Sequence, residues 1–332
     1  MTANKTNMKK VLVTETFATP GMALLKERSD VEVLTFSNAI SAADFNALLK
    51  LHAPVHAVAL GGTRFGEAEL DSSGGMRVVT RIGVGFDAVD IPALNRRKVP
   101  LMTTGIANSP SVAEAALFMM LALAKRSAEL DSLVKENRWR DRIHTVPFDV
   151  LGKTVVVVGF GRIGSRTVWR CLAMEMNVLV YDPFKPAAEI SSAGAEPVSD
   201  LDAALPRADF VTIHCPKSPE TVDLFGAARL AKLKPTAFLV NTARGGIVNE
   251  AALHAALTSG KLAGAGLDVF AQEPPQPDNP LFRLPNVILA PHMAGVTREA
   301  QDRMCLQTAK NILSVFDGEP IRENVINPGV LG

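Results

Sequence analysis

Cysteine is scarce in this chain: Cys171, Cys215 and Cys305 stand far apart in 332 residues, without a CxxC pair or a Cys/His cluster. Their spacing excludes a disulfide framework and a zinc site, and it points to a reducing, cytoplasmic setting with no bound metal. Charge of one sign is scarce too. The 35 basic and 34 acidic side chains nearly cancel and form no block, so neither nucleic acid nor an anionic membrane is expected as a partner. No apolar run could span a bilayer: the most apolar stretch, Val112 to Ala124, is short and contains Glu114. The opening "MTANKTNMKKVLVTET" passes from polar residues straight into a β-like run, without the apolar core and cleavage site of a secretory signal. Short-period repeats and low-complexity tracts are missing as well. What remains is about two domains' length of chain, able to bury its core without a staple.

What is present is alternation. The first hundred residues set the β-like runs "KVLVTE", "VEVLTF", "HAVALGG", "MRVVTRIG" and "VPLMTTG" between helical stretches such as "SAADFNALLKL". After "DVLGK" a second series begins: "TVVVVGFG", "NVLVYD", "ADFVTIHCP", "TAFLVNTARG", "GAGLDVF" and "NVILAPH". Near-continuous Val, Ile, Leu and Ala fits strands covered on both faces, as parallel sheets require. The expected fold class is α/β, with two doubly wound parallel-sheet domains. Between the two series, residues 108–126, "NSPSVAEAALFMMLALAKR", predict a long helix whose start is marked by the capping-box spacing of Ser111 and Glu114. That helix is too apolar to face solvent, and it is the expected contact of a homodimer.

Gly159, Gly161 and Gly164 have G-x-G-x-x-G spacing directly after a four-valine strand and at the opening of a helix. The first glycine allows a tight turn, the second lets backbone approach a pyrophosphate, and the third lets helix and strand pack closely. The amides of Arg162 and Ile163 would sit at the helix N-terminus, where partial positive charge favours phosphate. Asp182 ends the next strand at the spacing expected of a ribose-binding carboxylate. It would repel a 2′-phosphate, so NAD is expected in preference to NADP, although Lys185 nearby softens that preference.

Three further strand ends carry reactive groups: Arg244 in "NTARGG", Asp268 in "GLDVF" with Glu273 after it, and His292 in "APHMAG". An isolated arginine is ordinarily a surface ion pair, but a guanidinium at a strand end also offers forked donors to a carboxylate. Hydride transfer to a ketone needs an anion clamp, a proton donor titrating near neutrality and a carboxylate to orient it. A nucleophilic Cys215 would need a base, and the neighbouring His214 should point to the other face of its strand. His52, His56, His144 and His254 fit structural or solvated roles, and Trp139 and Trp169 fit packing.

Together "VGFGRIG", "YDP", "NTARGGIV", "GAGLDVFAQEP" and "APHMAG", in this order, resemble the D-isomer-specific 2-hydroxyacid dehydrogenases. The resemblance runs from "TRIGVGFDAVD" to "NVINPGVL". It implies a Rossmann NAD domain, residues 105–297, inserted in a flavodoxin-like substrate domain made of residues 1–104 and 298–332. Arg244, Glu273 and His292 would then be catalytic. Asp268, Cys215, Thr242, His292 and Gly295 would line the cofactor, with Asp268 on the nicotinamide carboxamide. Leu60, the amides of Val84 and Gly85, and Arg244 would meet a small 2-hydroxy or 2-oxo acid.

One departure bears on the substrate. Phosphoglycerate enzymes of the family carry a basic residue where this chain has Leu60, Gly61 and Gly62, and Arg64 lies further along. A dianion without a cationic partner binds poorly, so an unphosphorylated acid of the hydroxypyruvate or glyoxylate type is expected. The chain ends after "NPGVLG", so no regulatory domain is expected after it. Alternatives are 3-phosphoglycerate oxidation, a phosphite dehydrogenase-like reaction, and an NAD-sensing, corepressor-like binding protein. Formate is disfavoured, because its enzymes in this superfamily carry glutamine in place of Glu273.

Overall fold

The computed structural model describes residues 8–332, which fall into two compact units. One comprises the chain up to Asn108 together with Val296–Gly332, and the other is Ser109–Gly295.

The first unit is built on strands β1 (Lys9–Thr14), β2 (Val31–Phe36), β3 (Val55–Leu60), β4 (Gly74–Arg81) and β5 (Leu101–Met102). All pair in parallel, in the order β2-β1-β3-β4-β5, which is the flavodoxin-like winding. Alternation along each strand supplies two cores. Leu12, Val58 and Leu60 pack on one face with Phe45 and Leu49, while Val11, Val13, Ala57 and Ala59 pack on the other with Ile312 and Phe316. The helix Arg298–Phe316 lies against the helix Thr19–Lys26. Their approach is close enough that a Cβ on Gly21 would sit 2.4 Å from the Cys305 carbonyl oxygen.

The second unit holds β6 (Thr154–Val158), β7 (Asn177–Tyr181), β8 (Glu196–Pro197), β9 (Phe210–Ile213), β10 (Phe238–Asn241), β11 (Gly264–Leu267) and β12 (Val287–Leu289). They form one parallel sheet in the order β12-β11-β10-β9-β6-β7-β8, doubly wound about β6. Val156 and Val158 face one core; Val155 and Val157 face the other. Six strands were expected here. The seventh, β8, is a two-residue edge strand pairing with Leu179 and Val180, too short to leave a periodic signal.

The helix Ser109–Ala124 corrects the expected start. It begins two residues before Ser111, which is buried in its first turn, and Glu114 reaches out to Arg170 at 2.9 Å instead of capping. Its apolar side chains are spent within the unit: Met119 and Leu123 fill the space where Gly266 and Gly264 lack side chains. Phe118 is its large exposed apolar residue. Trp139 and Trp169 are each 60% exposed, and the packing role expected of them is wrong. Among the described residues no helix is long and apolar enough to cross a membrane.

Candidate active site

Because every strand of the second sheet runs the same way, all of its C-terminal ends open on one edge. Along that edge, from β7 through β6, β9, β10 and β11 to β12, stand Asp182, the Gly159–Gly164 turn, Cys215, Thr242 with Arg244, Asp268 and His292. Five strand spacings cover about 24 Å, the scale of an extended dinucleotide.

The glycine turn is shaped by three different demands. Gly159 has φ +99°, and a Cβ there would meet the Cys215 nitrogen at 2.8 Å. At Gly164 a Cβ would fall 1.9 Å from the Gly159 oxygen, so only glycine lets the helix Gly164–Ala173 start so close to β6. Gly161 faces open space, with nothing within 4 Å of its missing side chain. The helix has no side-chain cap; the Ser165 amide is taken by the Gly161 carbonyl at 3.0 Å, and the amides before it can meet an anion. Asp182 is tied to this turn: one carboxylate oxygen accepts from the Phe160 amide at 2.7 Å, and the other accepts from Phe184 at 2.9 Å. Lys185 is paired with Glu189 at 2.8 Å.

At the other end of the edge, the His292 Nδ1 lies 2.7 Å from Glu273 Oε2, and Glu273 Oε1 accepts from the Phe270 amide at 3.0 Å. Both side chains are partly exposed. His292 has φ +57°, a left-handed conformation uncommon outside glycine. Its loop is held by Asp268: the backbone oxygen accepts from the His292 amide, and the two carboxylate oxygens accept from Met293 at 2.7 Å and Ala294 at 2.9 Å. Asp268 is 1% exposed, and burial pushes its carboxyl up while those two amides pull it down. Its carboxylate thus anchors the loop that carries His292.

Arg244 projects from a turn that Asn241 stitches together. The Asn241 Nδ2 donates to the Arg244 carbonyl at 2.9 Å, and its Oδ1 accepts from Ala243. The Arg244 Nη1 donates to the Ala243 carbonyl at 2.7 Å. Glu250 plays a similar part for the Glu273 loop, accepting from the Ala271 amide at 2.6 Å and from Asn279 Nδ2 at 2.9 Å. Neither Asn241 nor Glu250 was singled out from sequence; the asparagine closing a strand before "TAR" was the available sign.

The Cys215 thiol is pushed up to about 11 by burial, so it is protonated at neutral pH and no nucleophile. His214 gives it no base. That imidazole is held down at about 3 by burial, its Nε2 lies 3.0 Å from Thr212 Oγ1, and its Nδ1 is sealed from water without a partner. Thr242 is buried, Gly295 follows the His292 loop, and a cavity of about 660 Å³ opens beside Glu273 and His292, walled by Phe270, Pro274, Phe282 and Leu289.

In the first unit, Gly83 at φ +136° turns the chain after β4, and the Arg81 Nε donates to the Gly85 carbonyl at 2.9 Å, which fixes the loop bearing the Val84 and Gly85 amides. Leu60 corrects the expectation placed on it. Its side chain is fully buried in the core, and its carbonyl accepts from the Ile82 amide, so it cannot line a substrate; Gly61 and Gly62 emerge at the strand end instead.

A profile described as "D-isomer specific 2-hydroxyacid dehydrogenase, NAD binding domain" matches residues 117–294. The chain belongs to the D-isomer specific 2-hydroxyacid dehydrogenase family. It is 38% identical to a D-3-phosphoglycerate dehydrogenase of Synechocystis over 97% of this chain and 57% of that one. A glyoxylate reductase of Korarchaeum cryptofilum is also 38% identical, over 77% of each chain. Among solved structures, the TT0316 protein of Thermus thermophilus superposes with a TM-score of 0.87 at 31% identity, covering 96% of this chain and 99% of that one. The chain spans about half the length of the phosphoglycerate dehydrogenases it matches, 48% to 60% for three of them. The doubly wound NAD-binding fold expected from the glycine motif and the strand series is thus the family's own.

Proposed function

We propose that this protein is an NAD(H)-dependent oxidoreductase that interconverts a small, unphosphorylated D-2-hydroxy acid and its 2-oxo acid. The observation that carries the reading is the 2.7 Å His292–Glu273 contact on the same sheet edge as the glycine turn and Asp182. The residues fit the dinucleotide: open space at Gly161, uncapped amides at Arg162 and Ile163, and a carboxylate fixed at the end of β7. Asp182 would hold the adenosine ribose hydroxyls, and with Lys185 engaged by Glu189 the edge favours NAD over NADP. When bound, the nicotinamide supplies or accepts the hydride.

The chain's own groups do the rest. The Arg244 guanidinium would bind the substrate carboxylate with two parallel N–H donors. Glu273 fixes the ring orientation of His292, leaving Nε2 to give a proton to the carbonyl oxygen, or to take it back in the reverse direction. Asp268 keeps that ring in place from behind. Cys215, protonated and half-buried, is an inert wall for the cofactor.

A second reading, oxidation of 3-phosphoglycerate, is favoured by the names of most of the similar proteins. Against it, the end of β3 offers Gly61 and Gly62 where a phosphate would need a cation. The reading also includes a cytoplasmic location, suited to three free thiols, and self-association over the exposed Trp139, Ile143, Val146 and Phe148. NADH oxidation with hydroxypyruvate, glyoxylate, pyruvate and phosphohydroxypyruvate side by side tests the proposal. Turnover of the phosphorylated acid alone would overturn the substrate, and turnover of none would overturn the activity.

A further inference from the structure

The loop that carries Glu273 is gripped at one peptide. Gly245, next to Arg244, approaches the Phe270–Ala271 peptide so closely that any Cβ on it would run into the Phe270 carbonyl. The N–H of that same peptide, on Ala271, donates to Glu250 Oε1 at 2.6 Å. One peptide earlier, the Phe270 N–H donates to Glu273 Oε1 at 3.0 Å, and Glu273 Oε2 lies 2.7 Å from the His292 ring. The second Glu250 oxygen accepts from Asn279 Nδ2 at 2.9 Å, while Asn279 Oδ1 accepts from the Leu281 amide. Glu250 thus binds the loop on both sides of Glu273.

Glu250 is itself well anchored. It stands in the first turn of the helix Glu250–Thr258, whose N-cap Asn249 accepts from the Ala252 amide at 2.9 Å and donates to Asp223 at 3.1 Å. A group seated on a helix start holds geometry more tightly than a loop can hold its own. Turning the Phe270–Ala271 peptide would break the Ala271 bond to Glu250 and swing the adjoining Phe270 N–H off Glu273. The Gly245 backbone blocks the carbonyl side of that peptide, and Glu250 takes its N–H.

We propose that Glu250 is a positioning residue for the reaction: by holding the Phe270–Ala271 peptide against Gly245, it aims the Phe270 N–H at Glu273 and keeps Glu273 on His292. This role rests on the acid/base reading of His292 above and adds to it a group that acts only through Glu273. What the role needs is a pair of acceptors at full reach, so an amide oxygen can replace part of it and a shorter carboxylate cannot.

The test measures kcat and KM for the best 2-oxo acid of the panel above, NADH affinity and the thermal melt in wild type, E250A, E250Q, E250D, E273A and the double variants. E250A should lower kcat by about tenfold to a hundredfold, the cost of misplacing a reacting group by about 1 Å, with NADH affinity unchanged. E250Q, which keeps an acceptor for the Ala271 N–H, should recover most of that loss. E250D keeps the charge and loses the reach, so it should lose turnover as E250A does, and it carries the test if E250A does not fold. Added to E273A, either change should cost almost nothing further, because the group through which Glu250 acts is already gone. A lowered melt with kcat unchanged in E250A and E250D would make Glu250 a brace of the fold only, and losses that multiply in the double variants would mean that it acts by another route. Either result overturns the inference and leaves the acid/base pair standing. Full turnover in E273A overturns the pair itself, and this inference with it.

Discussion

Asn substituted for Asp268 keeps the shape of the side chain and removes one acceptor. In D268N the remaining Oδ1 can keep the Met293 amide or the Ala294 amide, and the new NH2 group faces whichever N–H is left. One buried donor without a partner costs about 1–3 kcal/mol. Burial already disfavours the charged carboxylate at this position, so its loss returns part of the desolvation, and we expect a net loss of about 1–2 kcal/mol. For a unit of this size that lowers the thermal midpoint by about 2–8 °C. The effect on catalysis should be larger. The Met293–Ala294 segment follows directly on a histidine held at φ +57°, and a displacement of about 1 Å at the reacting group costs about a hundredfold in rate. Thermal melting followed by circular dichroism and kcat for NADH oxidation at saturating 2-oxo acid measure the two effects. A D268N protein with an unshifted melt and a kcat within about threefold of wild type would refute the argument, because the carboxylate would then not be holding the loop.

The acid/base role of His292 is best probed with H292N, since asparagine tolerates the left-handed backbone that alanine does not. Turnover should fall by about a hundredfold or more with NADH affinity unchanged, and a mutant above about a tenth of the wild-type rate would remove the assignment. G161A and G164A should separate binding from folding. G161A enters open space and should weaken NADH binding with a melt near wild type, whereas G164A drives a methyl into the Gly159 carbonyl and should lower the melt; the reverse pattern would contradict the geometry. His214 predicts a pH dependence. Its imidazole stays neutral in the fold down to about pH 3, while the unfolded chain takes up a proton below about 6.5, so the unfolded state binds more protons in that window. Stability should therefore fall on acidification from pH 6.5, by up to about 1.4 kcal/mol per unit, and H214Q should flatten the slope. Equal slopes in both proteins would mean that the ring is solvated.

Features written in a few consecutive residues were legible in the sequence. Four valines, a turn with three spaced glycines and an amphipathic helix state a strand-turn-helix, and the next strand's terminal aspartate follows from the repeat of the unit. The parallel winding of both sheets follows from strands apolar along their whole length. What escaped depends on distant chain. Asp268 reads as a reactive group at a strand end until residues 293 and 294 close over it from 25 and 26 positions away. Leu60 lies on the same face as Val58, so strand alternation already carried its burial, but the family position drew attention instead to the missing charge. The helix start at Ser109 was misplaced because Ser111 and Glu114 happen to mimic a cap, while the serine is needed inside and the glutamate meets Arg170.

The helix Arg298–Phe316 supplies Ile312 and Phe316 to a core that also holds Val11, Val13 and Ala57, from near the start of the chain. Everything from Ser109 to Gly295 is made between them. At about 5–20 residues per second, the first sheet waits on the order of ten to forty seconds for the helix that seals one of its faces. During synthesis, then, the second unit can close its core first, although it comes later in the chain. Until then the face of β1–β5 that Ile312 and Phe316 cover stays without them.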